Sequence, residues 1–133
     1  MKKKGLKTIC SLMLVLTMAF CETTISAQAA TYVFEGAEVK CTLYTTSTSA
    51  TATTVWPVAG GTRYVKVGLY YLNPSTNRAA YKVAGPVSST NTGVSASVSI
   101  SSPYIKLGAY GLHKVVHNGN TFGWVRTSEG VAP

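Results

Sequence analysis

Aspartate is absent from this chain of 133 residues, and four glutamates are its entire acidic complement. Glycoside hydrolysis generally sets two carboxylates across the scissile bond. A Ser-His-Asp triad needs an acid to orient its imidazole, and calcium sites draw on several oxygen ligands with Asp prominent among them. Glu35 and Glu38 fall near the start of the folding part and Glu129 near its end, which gives no pre-organised pair. There is also no glycine-rich phosphate loop or Walker-type motif. The sequence therefore reads as non-enzymatic, with no catalytic residue, no cofactor and no metal site.

Cysteine is scarce as well, at three residues. A long apolar run is missing too. The longest, residues 9–20, has about a dozen residues, whereas a membrane-spanning helix needs roughly twenty. That run follows Lys2, Lys3, Lys4 and Lys7 and precedes Ala27-Gln28-Ala29, a small-x-small site. A basic n-region, a short apolar stretch and such a site together make an export signal. The expected organisation is a signal peptide over residues 1–29, cleavage between Ala29 and Ala30, and one secreted domain over residues 30–133 with no membrane span. Lipoprotein processing at Cys21 would need a small residue before it, and Phe20 stands there.

Removing the leader leaves about 104 residues, enough for one domain that buries roughly 60–65% of its unfolded surface. Only Cys41 then remains, so no intrachain disulfide can form. In the run Val39-Lys40-Cys41-Thr42-Leu43 it is in phase with the apolar positions, as a small core residue would be; an intermolecular disulfide is the other reading. The whole chain carries +8 at pH 7. The trimmed part keeps eight basic residues against three glutamates, about +5, spaced singly along the chain. Scattered cations of this kind suit a solvated surface and argue against a nucleic-acid site.

What is present is β-patterning. Residues 38–44 alternate, and in residues 62–72 Arg63, Val65, Val67 and Leu69 share one side while Tyr64, Lys66 and Tyr70 share the other. Val94, Ala96, Val98 and Ile100 alternate with serines. Residues 30–37 read as a lead-in able to pair at a sheet edge, and residues 45–54 as an exposed edge or a loop. Residues 73–77 are turn chemistry. Residues 79–84 read as a return strand ended by Gly85-Pro86, and residues 104–117 as a strand split by a bulge or bend at Gly108 and Gly111. Asn118-Gly119 specifies a tight two-residue turn that would set Val115 opposite Phe122 and His113 opposite Trp124. Sustained helical periodicity is absent after the leader. The expected fold is all-β, a single antiparallel β-sandwich of about seven strands, immunoglobulin-like, with a small barrel as the alternative.

His113 and His117 stand four apart. In a strand that separation is roughly 13 Å, too far for one metal ion. The expectation is one histidine beside Trp124 and one at the hairpin tip. Tyr64, Lys66, Tyr70 and Lys82 form the candidate ligand face, where aromatic rings could stack on sugars and cations could hold an anionic polymer.

The Ser/Thr-rich strands and the final hairpin, His113-Lys-Val-Val-His117-Asn118-Gly119-Asn120-Thr-Phe-Gly-Trp124, resemble small secreted Ser/Thr-rich all-β proteins of Gram-positive bacteria. The resemblance implies secretion and a β fold, and it carries over no functional residue. The leading functional expectation is a secreted non-catalytic binding protein at the cell envelope or in the extracellular medium. Its partners would be a cell-wall polymer, a glycan or another secreted protein. A bacteriocin-like antimicrobial and a secreted enzyme inhibitor presenting the loop 73–77 are the alternatives.

Overall fold

The computed structural model describes residues 26–130, which form eight β-strands and no helix. In chain order these are β1 (Ser26–Phe34), β2 (Ala37–Thr45), β3 (Ser49–Val55), β4 (Thr62–Asn73), β5 (Arg78–Ser89), β6 (Gly93–Ser99), β7 (Ile105–His117) and β8 (Asn120–Gly130). They make two open antiparallel sheets of four strands, ordered β1-β2-β3-β6 and β5-β4-β7-β8, so the chain does not close into a barrel. The expected signal peptide lies outside the described residues up to position 25. Its last four residues, 26–29, instead open β1 and pair with Thr42 to Thr45 of β2.

The sheets pack on each other because each presents one apolar face at a period of two. Leu43, Ala50, Ala52, Val94, Ala96 and Val98 from the first meet Val65, Val67, Leu69 and Ala109 from the second. A smaller cluster at one end joins Val39, Cys41, Trp56 and Val115. Cys41 is fully buried there, as its phase indicated, and burial pushes its thiol pKa up to about 12.

Several local expectations need correction. Of residues 45–54, only 46–48 form a loop, and the strand part is not a sheet edge. β3 is an inner strand whose Ala50, Ala52 and Thr54 are buried, and its small side chains let the facing sheet approach. Its outer threonines hydrogen-bond across to β6 serines, Thr51 to Ser97 and Thr53 to Ser95, each at 2.7 Å. Residues 30–34 do pair at a sheet edge, as expected, within the edge strand β1, and Glu35-Gly36 then turns that strand into β2. Both turn residues have positive φ (50° and 80°), the requirement of a tight two-residue hairpin. β5 does not stop at Gly85-Pro86 but passes through it with a shift in register against β4 between Val65 and Val67. β7 carries the expected irregularity at Gly108, where Leu107 is left over opposite Tyr70 and Tyr71, but it stays one strand and runs in register through Gly111.

Candidate ligand-binding face

Directly opposed residues of an antiparallel pair point to the same side of the sheet. The outward side of β4 therefore collects its cross-strand neighbours. Tyr64 stands opposite Lys114, Lys66 opposite Leu112, Gly68 opposite Tyr110 and Tyr70 opposite Gly108. On the other flank Tyr70 faces Tyr81 of β5, with ring centroids 6.0 Å apart. Three of the four sequence-predicted face residues, Tyr64, Lys66 and Tyr70, thus share one surface. Lys82 does not belong to it. It pairs with the inward Leu69, and its Nζ reaches across the gap to donate to the Ser99 carbonyl of the other sheet at 2.9 Å. Its phase is set by the β4–β5 turn, from which the pairing runs unbroken from Asn73 with Arg78 to Leu69 with Lys82.

β8 supplies what the sequence reading missed. Val115 does face Phe122, but the register then shifts, so that His113 faces Val125 and Trp124 is left over. The extra residue turns Trp124 out of the core, against expectation, and leaves it 43% exposed on the outer face. Gly123 permits this with φ +104, where an added Cβ would collide with the His113 carbonyl oxygen. Trp124 then meets Tyr64 edge-on at 6.3 Å. The Lys114 ammonium sits between them, 4.7 Å from the Tyr64 ring centre and 5.1 Å from that of Trp124. One row further, the Arg126 guanidinium lies 4.6 Å above the Tyr110 ring. Tyr110 itself lies flat over Gly68 and is 8% exposed. A Cβ at Gly68 would occupy the space of that ring.

The face thus has aromatic groups at both ends, Tyr64 with Trp124 and Tyr70 with Tyr81, and cations from Lys114, Lys66 and Arg126. The glutamates of the described residues are all elsewhere. Glu35 is in the β1–β2 turn, Glu38 is on the first sheet, and Glu129 pairs with Lys106 at 3.1 Å opposite inward-facing Ala109. Alternation along β7 could have located Tyr110 and Lys114. Only knowledge of the bulge could have located Trp124.

Other polar groups serve the fold. Arg63 is fully buried without a carboxylate partner. Its Nε donates to the Trp56 carbonyl at 3.0 Å, and its Nη atoms donate to carbonyls of Trp56, Val58, Gly60, Gly61 and Thr90. The guanidinium also lies over the Trp56 ring at 5.1 Å. Its fork thereby fastens the β3–β4 connection.

His113 is fully buried between the sheets, not beside Trp124. The Thr54 hydroxyl donates to the Tyr64 carbonyl at 2.9 Å, so its oxygen accepts from His113 Nδ1–H at 2.9 Å. Nε2 then accepts from the Thr127 hydroxyl at 2.9 Å. That order fixes the Nδ1–H tautomer of a neutral ring, and burial lowers the His113 pKa to about 4.

At the end of the molecule His117 Nδ1 donates to Glu35 at 2.6 Å, Asn120 Nδ2 donates to the same carboxylate at 2.6 Å, and Trp56 packs edge-on against His117 at 5.0 Å. The two histidines are thus committed to different structural tasks. No group of three or more His, Cys, Asp or Glu side chains suited to a metal ion occurs among the described residues.

A recess of about 470 Å³ is lined by Ser47, Thr48, Tyr104, Ile105, Lys106 and Glu129. Its two charged groups pair with each other, which leaves it little to offer a charged ligand. No helix among the described residues is long and apolar enough to cross a membrane. Comparison with protein-family models, curated proteins and solved structures finds no match to this chain.

Proposed function

We propose that the chain is exported, is cut between Ala29 and Ala30, and acts outside the cell as a non-catalytic binding protein. Its ligand in this reading is an anionic polymer of the envelope or its surroundings, a wall polymer or glycan bearing phosphate or carboxylate. The observation that carries the proposal is the outer face of β5-β4-β7-β8, which gathers aromatic rings with Lys66, Lys114 and Arg126 and bears no described glutamate. Rings supply stacking surface and the cations supply attraction and orientation.

The finer fold expectation belongs to the same proposal. In an immunoglobulin-like sandwich strand B adjoins E, and C′-C-F-G form the opposite sheet. Taking β3 as B and β6 as E, the order β5-β4-β7-β8 fits C′-C-F-G, with β2 as A and β1 as an added strand.

Cosedimentation of the trimmed protein with purified cell walls tests the function. Retention should fall as salt rises from about 0.05 to about 0.5 M, because the range of exposed charge contacts shrinks from roughly 14 Å to roughly 4 Å. Replacing Lys66, Lys114 and Arg126 by Gln should abolish retention. Retention unchanged by salt and by the triple variant would refute the proposal. Growth arrest of related bacteria, or capture of a secreted hydrolase in place of polymer, would substitute the antimicrobial or inhibitor alternative.

A further inference from the structure

Resting on the polymer-binding reading, the geometry points to a ligand of defined length and polarity: a linear anionic glycan that spans two aromatic stations. Tyr64 and Tyr70 are six residues apart on β4, roughly 20 Å at the rise of an extended strand. Each is the inner half of a pair, Tyr64 with Trp124 on one flank and Tyr70 with Tyr81 on the other. Trp124 and Tyr81 are well exposed, at 43% and 54%, so both stations offer ring surface to solvent.

Between the stations lie the rows of Lys66 with Leu112 and of Gly68 with Tyr110. Gly68 contributes no side chain, Tyr110 fills the space it leaves, and the Arg126 guanidinium covers that ring at 4.6 Å. Charged and aliphatic groups thus interrupt the exposed ring surface, and the two aromatic pairs are separate stations.

The cations are not distributed evenly along the face. Lys114 sits within the Tyr64–Trp124 station, and Lys66 and Arg126 fall in the next row across the sheet. The Tyr70–Tyr81 station has Gly108 and Gly130 as its neighbours in register and no cation in its row. The face is thus cationic at one end and purely aromatic at the other. A glycan fits it when its acidic groups lie over the first two rows and an uncharged ring face rests on Tyr70 and Tyr81. A ringless polyanion satisfies only the cations, and a neutral glycan satisfies only the rings.

Calorimetric titration of the trimmed protein with anionic oligosaccharides of graded length tests this. Two further arms use a neutral oligosaccharide of matching length and inorganic polyphosphate. Affinity for the anionic series should climb with length and level off once both stations are spanned, and both control arms should bind more weakly. Tyr81→Ser should weaken the longest oligomers about three- to tenfold and leave the shortest unchanged. Trp124→Ser should weaken all of them. Both side chains are exposed, and an unaltered circular-dichroism spectrum confirms that each variant folds.

Affinity independent of length, or polyphosphate binding as tightly as the longest oligosaccharide, would overturn the two-station inference and leave the polymer-binding reading standing. Absence of binding to any anionic polymer would defeat both.

Discussion

Arg63 is the residue on which the β3–β4 connection depends. Period-two alternation put it on the core side of β4, where a cation is costly unless fully hydrogen-bonded. It satisfies five backbone carbonyls in place of a counter-ion, which the planar five-donor guanidinium can do and a lysine ammonium cannot. Arg63→Ala should therefore cost at least about 3 kcal/mol by urea unfolding, because several carbonyls lose their donor together. Arg63→Lys should recover only a minor part of it.

His113 gives the fold a distinct acid sensitivity. Its pKa is lowered from 6.5 to about 4 in the folded chain. Above pH 6.5 the ring is neutral in both folded and unfolded states, and stability is at its full value. Between pH 6.5 and 4 the unfolded chain takes up a proton that the folded chain refuses, so stability falls as pH falls. The loss approaches about 3 kcal/mol by pH 4. His113→Gln should flatten the stability profile across that window. The Glu35 carboxyl is also held below its ordinary value, first by Asn120 and then by His117. Its contribution is present above pH 4.5 and lost as pH falls further, so the two groups can be told apart by where each variant's profile departs from the parent.

Among the elements, β4 and β6 were legible because their alternation is strict and the core is apolar. β3 was not. Its threonines and alanines carry little hydrophobic contrast, and only the neighbouring strands on both sides make Ala50 and Ala52 interior. The ends of β5 and β8 escaped for another reason. A bulge adds one residue and inverts the facing of everything after it, and a glycine inside the strand pattern is its only local signal. The inward phase of Lys82 follows from the β4–β5 turn, whereas the bulge after Gly123 accounts for Trp124 being left out.

The β8 bulge is itself testable. Gly123→Ala places a Cβ against the His113 carbonyl oxygen at a φ that L-residues avoid. The bulge should collapse or Trp124 should leave Tyr64 and Lys114. In a Trp56→Phe background, Trp124 fluorescence should change its emission maximum and its quenching by acrylamide. An unchanged spectrum would show that the outward setting of Trp124 does not need the bulge.

For the whole molecule, the proposed export boundary falls within β1. Cleavage between Ala29 and Ala30 would remove the residues that pair with Thr42, Leu43, Tyr44 and Thr45, and leave that end of β2 as a sheet edge. Amide exchange at Leu43 and Thr45 should be faster in a chain starting at Ala30 than in one starting at Ser26, with β4 and β7 unaffected. Equal protection in both would mean that residues 26–29 contribute nothing to the edge.

The two sheets also differ as surfaces. One shows small hydroxyl groups tied to each other, and the other shows rings and cations. The most direct measurement is nuclear magnetic resonance mapping of the trimmed protein titrated with an anionic glycan. Shifts should concentrate at outward positions of β4, β7 and β8, with Tyr64, Lys66, Lys114 and Trp124 moving most. Shifts confined to the Ser/Thr face of β2, β3 and β6, or to the recess beside Lys106 and Glu129, would contradict the assignment of the aromatic and basic face as the ligand site.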